Sequence, residues 1–209
     1  MMKSNIALLI LLSILLFSCK KSDNRLVIEG EMFNLNTPYI LASSQISDSI
    51  CVDTINVDSK GKFSYIQNVD TATIFTLYFN EYNSSTIVFA DKGINKIKIK
   101  GDADLSDLIE IKGGEINENL TSFKKENETL LKQRTLLMKK VNYENDSLAS
   151  PVSVISEKDE TATLNSINHE LAQNVEGYIM DNPSKASSVV LINEFFKNNE
   201  NPETLNRVL

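Results

Sequence analysis

The hydrophobic period of this chain changes at Gly113-Gly114, and this change constrains the fold more than any other feature. Before the two glycines, short apolar segments bounded by turn residues recur at about 8–12-residue spacing, which is typical of β-sandwiches and barrels. After them, apolar residues recur at the three- and four-residue spacing of α-helices. The sequence therefore predicts an α+β protein, with an N-terminal antiparallel β-sandwich-like domain over residues 25–113 and a helical region over residues 114–209.

Eight strands are predicted in the first region, at residues 26–32, 39–43, 51–57, 62–67, 74–80, 86–90, 96–100 and 108–112. Lysine and isoleucine alternate strictly over residues 96–100, which places Ile97 and Ile99 on the core face and three lysines in water. Those lysines either form a solvated face that opposes aggregation at a strand edge, or bind an anionic ligand. The first interpretation is favoured. Between the third and fourth strands, Asp58 and Ser59 can bond their own backbone and Gly61 can adopt a positive φ.

The helical region is predicted to contain at least three helices. One apolar stripe runs from Ile116 to Val141 and is interrupted by Asn127 and Arg134, and a second runs from Leu164 to Tyr178. The segment 181–184 is expected to end one helix and begin another, with Ser184 as the cap of an apolar helix over residues 189–196. A further helix start at residues 201–203 lies close to the last residue, so the helical region is predicted to be incomplete.

Composition excludes several function classes. The formal net charge is −7, which argues against a nucleic-acid partner. His169 is the only histidine, so a multi-histidine metal site is excluded, and its position off the apolar stripe predicts an exposed side chain. Phosphate-binding glycine loops and nucleophile elbows do not occur in the sequence, and nothing predicts that any carboxylates converge. We therefore predict no catalytic, cofactor-binding or metal-binding residues, and we lean against an enzyme.

The amino terminus has the pattern of an export signal. Lys3 precedes an apolar run over residues 6–17, which is shorter than the roughly 20 residues that span a bilayer. The segment Leu16-Phe17-Ser18-Cys19 resembles the lipobox of bacterial lipoproteins. This resemblance implies a signal peptide over residues 1–18, a lipid on Cys19 and a tether over residues 19–24. It also implies a lipid-anchored protein of the cell envelope, and Lys20 favours the outer membrane. Cleavage of an ordinary signal peptide at another position is the alternative.

Cys51 is the second of two cysteines. If Cys19 carries a lipid, Cys51 has no partner for an intramolecular disulfide, and a Cys-x-x-Cys pair is absent from the sequence. Its neighbours Ile50 and Val52 are apolar, and no basic residue is adjacent to lower its pKa. We therefore predict a small buried hydrophobic residue in preference to a reactive thiol.

Several segments resemble a domain of unknown function found at the N-terminus of lipid-anchored envelope thiol-disulfide oxidoreductases of the AhpC/TSA and TlpA-like family. The resemblance rests on residues 57–64, 97–101 and 109–113, and on the segment 182–196, which is similar to an Asn-Pro-x-Ser stretch before an apolar helix. It implies the two-part architecture and an association with envelope thiol chemistry. The thioredoxin-like catalytic domain is missing from this sequence, so no redox residue is implied at any position.

Two functional hypotheses remain open at this point. The first is a non-catalytic front module of a thiol-disulfide oxidoreductase, which acts as a spacer and as a recognition or oligomerisation domain. The second is a stand-alone lipoprotein that binds a peptide, a glycan or a partner protein. The membrane, through the lipid on Cys19, and a protein partner or a second copy of the chain are the expected partners.

Overall fold

A computed structural model describes residues 24–46, 49–82, 84–146 and 153–195. The predicted signal peptide, Cys19 with the tether as far as residue 23, and the predicted helix start at residues 201–203 lie outside the described residues. None of the helices in the described ranges is long and apolar enough to cross a membrane.

Each of the eight predicted strands overlaps a strand of the structure. The strands are β1 (Arg25–Phe33), β2 (Tyr39–Ile46), β3 (Ser49–Asn56), β4 (Lys62–Asn68), β5 (Thr73–Phe79), β6 (Ser84–Ala90), β7 (Lys96–Asp102) and β8 (Glu110–Lys112). They form two four-stranded sheets, which we name sheet A (order β4-β1-β7-β8) and sheet B (order β3-β2-β5-β6). All neighbouring strands are antiparallel except β1 and β7, which run parallel. The predicted α+β class, with a mostly antiparallel β-rich part followed by helices, is confirmed.

The sandwich core lies between the inner faces of the two sheets. Strict alternation along each strand places every second side chain there, because successive side chains of a strand point to opposite faces. Ile97 and Ile99 are buried while the three lysines beside them are exposed, as the sequence predicts. The fully buried large side chains of this core are Leu26, Ile28, Met32, Ile40, Leu77, Phe79, Val88, Ile97, Ile99 and Ile109. Each contributes about 1.5–3 kcal/mol relative to an exposed position.

At two positions of the β-region the local geometry requires glycine. Gly61 ends the turn between β3 and β4 with a φ of 78°. In this turn the Asp58 carboxylate accepts hydrogen bonds from the backbone N–H groups of Lys60 and Lys62, both at 2.8 Å. Those two bonds hold the pKa of Asp58 below its usual range. Gly30, in the middle of β1, leaves room for the Phe63 ring, whose atoms would come within 2.7 Å of an added Cβ.

Within the described residues, four α-helices follow the sandwich: α1 (Glu115–Glu126), α2 (Glu128–Asp146), α3 (Ser153–Asp181) and α4 (Ala186–Phe195). A 3-10 helix (Ala103–Leu108) links β7 to β8. The single helix predicted across residues 116–141 is wrong, because α1 and α2 are separate helices that meet at Asn127. The buried Asn127 amide donates to the Phe123 carbonyl at 2.9 Å and accepts from Asn174 of α3 at 2.7 Å. Such local bonds compete with helix continuation.

The second polar interruption of the stripe also has a structural role. Arg134 of α2 donates to Asn168 of α3 at 3.0 Å and contacts the Asp107 carboxylate of the 3-10 helix at 3.4 Å. The predicted capping role of Ser184 is not observed, since α4 begins two residues later at Ala186 and Ser184 lies in the preceding turn. Two small apolar clusters join the helices, with Leu120, Phe123, Val175, Ile179 and Leu191 in one and Leu131, Ile167 and Leu171 in the other.

Candidate functional site

One helix closes two edges of the sandwich. Asn117 of α1 is 2% exposed, and its side chain bonds to β6, the outermost strand of sheet B. It accepts a hydrogen bond from the Phe89 N–H at 2.9 Å and donates to the Phe89 carbonyl at 2.7 Å. One turn later, Thr121 accepts from the Ile111 N–H at 3.0 Å and donates to the Ile111 carbonyl at 2.9 Å. Ile111 belongs to β8, the outermost strand of sheet A, so α1 bonds to the backbone of one edge residue on each sheet.

The opposite side of the sandwich has no such cover among the described residues. There β3 and β4 form the other two edges, and they are joined by a single bridge between Val57 and Phe63. Farther from the bridge only side chains connect them, with Tyr65 donating to the Asp53 carboxylate at 2.5 Å and Gln67 donating to it at 3.2 Å. Partial burial and the hydrogen bond to the neighbouring carboxylate raise the pKa of Tyr65 well above its usual range.

The outer face of sheet A is charged. Acidic and basic side chains are mixed on its strands, among them Glu29, Glu31, Lys62, Lys96, Lys98, Lys100, Glu110 and Lys112. Ion pairs join Lys96 to Glu29 at 2.6 Å and Lys112 to Glu110 at 2.8 Å. The Lys112 ammonium, by its hydrogen bond, lowers the pKa of Glu110. A shallow depression of about 460 Å³ lies over this face, and its mixed charges fit a solvated surface better than an anion site.

The outer face of sheet B carries no charged side chain at its described strand positions. Its outward positions are Tyr39, Leu41, Ser43, Gln45, Ile50, Val52, Thr54, Asn56, Ile74, Thr76, Tyr78, Ser85, Ile87 and Phe89. Several of its aliphatic side chains face solvent, with Ile50 75%, Val52 55% and Ile74 52% exposed. A contiguous exposed apolar patch can mark an interaction surface, whereas apolar residues exposed singly are ordinary. We call these fourteen positions the neutral face.

Aromatic side chains extend the neutral face at one end. Tyr82, in the connection after β5, is 61% exposed and its ring lies 5.1 Å from that of Tyr78. Asn80, Glu81 and Tyr82 all have positive φ, a conformation that costs a non-glycine residue about 1 kcal/mol or more. Phe79, the neighbour of Tyr78 in β5, is fully buried in the sandwich core.

Cys51 lies in β3, and the prediction that it is buried is wrong. The side chain is an exposed free thiol, and its neighbours Ile50 and Val52 are exposed as well. The apolar neighbours predicted burial because such runs usually pass through a core. Here β3 is the edge strand of sheet B, and of its residues only Ile55 is buried. His169 is exposed on α3, as predicted, 3.2 Å from the Gln173 side chain.

Four of the carboxylates on or beside the strands, Asp53, Glu81, Asp91 and Asp102, are candidate site residues. Asp53 bonds to β4 as described above, and Asp91 accepts from the Lys92 N–H at 2.6 Å. Asp102 caps the 3-10 helix through the Asp104 N–H at 2.8 Å and accepts from Asn34 at 2.8 Å. Glu81 is exposed in the turn after β5. The described ranges contain no group of three or more His, Cys, Asp or Glu side chains placed to hold a metal ion.

Sequence reasoning missed Asn117 and Thr121. Both lie one position after an apolar residue of the α1 stripe, Ile116 and Leu120, and they are four residues apart. Two polar residues at that spacing share one face of a helix, which is the available signal. Their specific partners on β6 and β8 become visible only once the strand order of both sheets is known.

Comparison with known proteins gives one match. No curated protein and no solved structure is significantly similar to the chain. The family model of a domain of unknown function, DUF4369, matches residues 26–120. This range contains the strands of both sheets from Leu26 onward and the half of α1 that carries Asn117. Residues 26–120 of this chain are therefore similar to a domain of unknown function, DUF4369.

Proposed function

We propose that this chain is a lipid-anchored, non-catalytic module of the bacterial cell envelope, with the outer membrane favoured. It is held by a lipid on Cys19 and acts by binding through the neutral face and the adjoining edge strand β3. As the front part of a thiol-disulfide oxidoreductase, it serves as a spacer and as a recognition or oligomerisation domain.

The observation that carries the proposal is the contrast between the two outer faces. Sheet A presents charges to solvent, with two ion pairs among them, beside the exposed Ile66 and Phe33, whereas sheet B presents exposed aliphatic side chains and no charge at its described positions. At the margin of that face lies the edge strand β3. Its described backbone partners all belong to β2. Exposed apolar sheet surface next to an open edge supports protein recognition, because a partner can gain both apolar burial and main-chain hydrogen bonds there.

The position of β1 limits how far the sandwich can lie from the proposed anchor. β1 begins at Arg25, six residues after Cys19, so a tether of at most about 3.5 Å per residue keeps the sandwich within about 20 Å of the anchor. One acyl chain gives only marginal membrane binding, whereas two or three chains hold a protein stably. Binding partners of such a module are therefore other molecules at the same membrane.

A stand-alone binding lipoprotein is the second candidate. The pair formed by Tyr78 and the exposed Tyr82 favours it, because rigid aromatic side chains at a surface offer a large contact area to a peptide or a glycan at little entropic cost.

The intact mass of the native protein, extracted from its membrane fraction, tests the anchor and separates the two candidates. A mass equal to residues 19–209 plus a diacylglycerol and an amide-linked acyl chain supports the anchor and the stand-alone lipoprotein. A lipidated species heavier by roughly 100–150 residues supports the front module of a longer enzyme. An unlipidated mass contradicts the proposed function in both forms.

A further inference from the structure

We propose that β3 pairs with β3 of a second copy of this chain, in antiparallel orientation, so that two copies of sheet B form one eight-stranded sheet. This inference names the partner of the proposed recognition module and rests on the proposed function, because the membrane anchor supplies the local concentration that the contact needs.

The four edges of the sandwich differ in how they are protected. Side chains of α1 bond to the backbone of β6 and β8, as described above. The third edge, β4, begins with Lys62, and edge lysines oppose strand addition. β3 contains neither lysine nor proline, and its described ladder joins it to β2 alone. Its carboxyl end turns toward sheet A at the bridge between Val57 and Phe63, which leaves the amino-terminal half as the open edge.

The sequence of that half is self-complementary. Antiparallel pairing with Cys51 opposite Cys51 of the second copy places each exposed Ile50 opposite an exposed Val52 on the outer face. On the inner face, Asp53, which carries the single charge of β3, lies opposite the hydroxyl of Ser49. Apolar cross-strand pairs stabilise a sheet and like charges directly opposite each other destabilise it. This register provides two apolar cross-strand pairs, and it places no like charges directly opposite each other.

Charge favours a second copy over an unrelated partner. The chain has a net charge of −7, so two copies repel each other overall. The neutral face carries no charge at its described positions, and across the paired β3 strands it continues without interruption into the neutral face of the other copy. A partner recognised through charge complementarity would find no complementary group on this surface.

The contact is small. Five residues from each strand pair in this register, and interfaces below about 1,200 Å² of total buried area are weak or transient in free solution. When both copies are anchored to one membrane, their effective concentration rises. A larger fraction of the copies is then paired, although the contact itself is weak. The dimer is therefore expected on the membrane and is expected to dissociate readily on dilution in detergent.

Cys51 reports this register directly. Residues directly opposite each other in an antiparallel pair have Cα atoms about 4.5–5.5 Å apart, within the range that a disulfide spans. The membrane fraction of cells that produce the full chain is treated briefly with copper phenanthroline, which removes two electrons from a thiol pair as its two protons are released. The expected result is a reducible species of twice the mass, absent after Cys51→Ser.

Two matched variants separate a specific edge contact from collision. Val52→Lys places a charge in the proposed interface and is expected to abolish the doubled species, whereas Ile66→Lys, at a similarly exposed apolar position of β4, is expected to leave it unchanged. In a Cys51→Ser background, Thr54→Cys moves the thiol along β3, and the two new thiols lie six residues out of register, about 20 Å apart. This variant is expected not to cross-link.

Each contrary outcome has a distinct meaning. No doubled species, or one that survives Val52→Lys or forms equally well through Thr54→Cys, overturns the β3 pairing, provided that circular dichroism shows the variants to be folded. If the protein still partitions to the membrane with its lipids, the proposed function stands without the dimer. A doubled species that persists in Cys51→Ser reports a free thiol on Cys19, and this contradicts the anchor independently of β3.

Discussion

On one side of the sandwich, α1 supplies a side-chain hydrogen-bond partner to each sheet, Asn117 for β6 and Thr121 for β8. On the other side, β3 and β4 share one backbone bridge and the side-chain contacts of Asp53. The closed side satisfies the edge backbone at Phe89 and Ile111 within the chain, whereas an unpaired edge is open to pairing with other chains. The open side leaves apolar residues of an edge strand exposed, and that difference separates a structural boundary from a candidate contact surface.

Replacing Asn117 by alanine is expected to have the largest effect on this contrast. It removes the bonds to both backbone groups of Phe89 and a third, at 2.7 Å, to the Gly113 carbonyl. Buried backbone groups left without partners lower stability, and we expect the free energy of unfolding to fall by about 2–4 kcal/mol. Urea denaturation followed by circular dichroism measures this change.

Asn119→Ala is the matched control, since Asn119 lies on the same helix and is only half-buried. It is expected to change the free energy of unfolding by no more than about 0.5 kcal/mol. Equal effects of the two substitutions would mean that the closed side does not depend on the Asn117 bonds.

Thr121→Val tests the second bond of α1 with little change in side-chain shape. The hydroxyl that bonds both backbone groups of Ile111 is lost, and we expect a cost of about 1–2 kcal/mol in urea denaturation. Ser122→Ala, at the neighbouring exposed position, is expected to be close to neutral. A neutral Thr121→Val would show that β8 needs no cover, and the contrast between the two sides would then rest on β6 alone.

Tyr65→Phe tests the open side and is expected to have the smallest effect, which is present at neutral pH and shrinks at alkaline pH. The folded protein raises the pKa of Tyr65 above its ordinary value of 10.0, through burial and the neighbouring Asp53 carboxylate. The stability that this tyrosine contributes is therefore present below about pH 10 and is lost as the pH rises beyond it. In urea titrations from about pH 8 to about pH 11, the stability advantage of the wild type over Tyr65→Phe should shrink.

Asp53→Asn provides the companion measurement. Without the carboxylate charge, the pKa of Tyr65 should fall toward its ordinary value, so the alkaline loss of stability should be smaller than in the wild type. If both variants lose stability at alkaline pH as the wild type does, the contact between Tyr65 and Asp53 is not what raises the pKa of Tyr65.

The strands could be read from the sequence because alternation is a local property. The pattern of residues 96–100 already assigns two isoleucines to the core and three lysines to solvent, and the structure agrees. The exposure of Cys51 could not be read in the same way, because alternation does not reveal whether a strand is central or at an edge. Its apolar neighbours carry the same pattern in either place.

The helix break and the edge contacts needed tertiary information for a related reason. Asn127 reads as one polar interruption of a long stripe, and only its bond to Asn174, 47 residues away, explains why the helix ends there. Asn117 likewise reads as an ordinary helix residue until β6 is placed beside it. Strand order, edge exposure and long-range polar partners are properties of the assembled fold, so sequence periodicity cannot supply them.

The central place of β1 has a mechanical consequence. This strand follows the tether directly, and it is paired along seven positions with β4 on one side and along seven with β7 on the other. A pull on the tether acts along the strand axis, so both ladders resist it together as a shear and do not open one bond at a time. A sandwich anchored through this strand would resist unfolding by a pulling force better than one anchored through an edge strand such as β3.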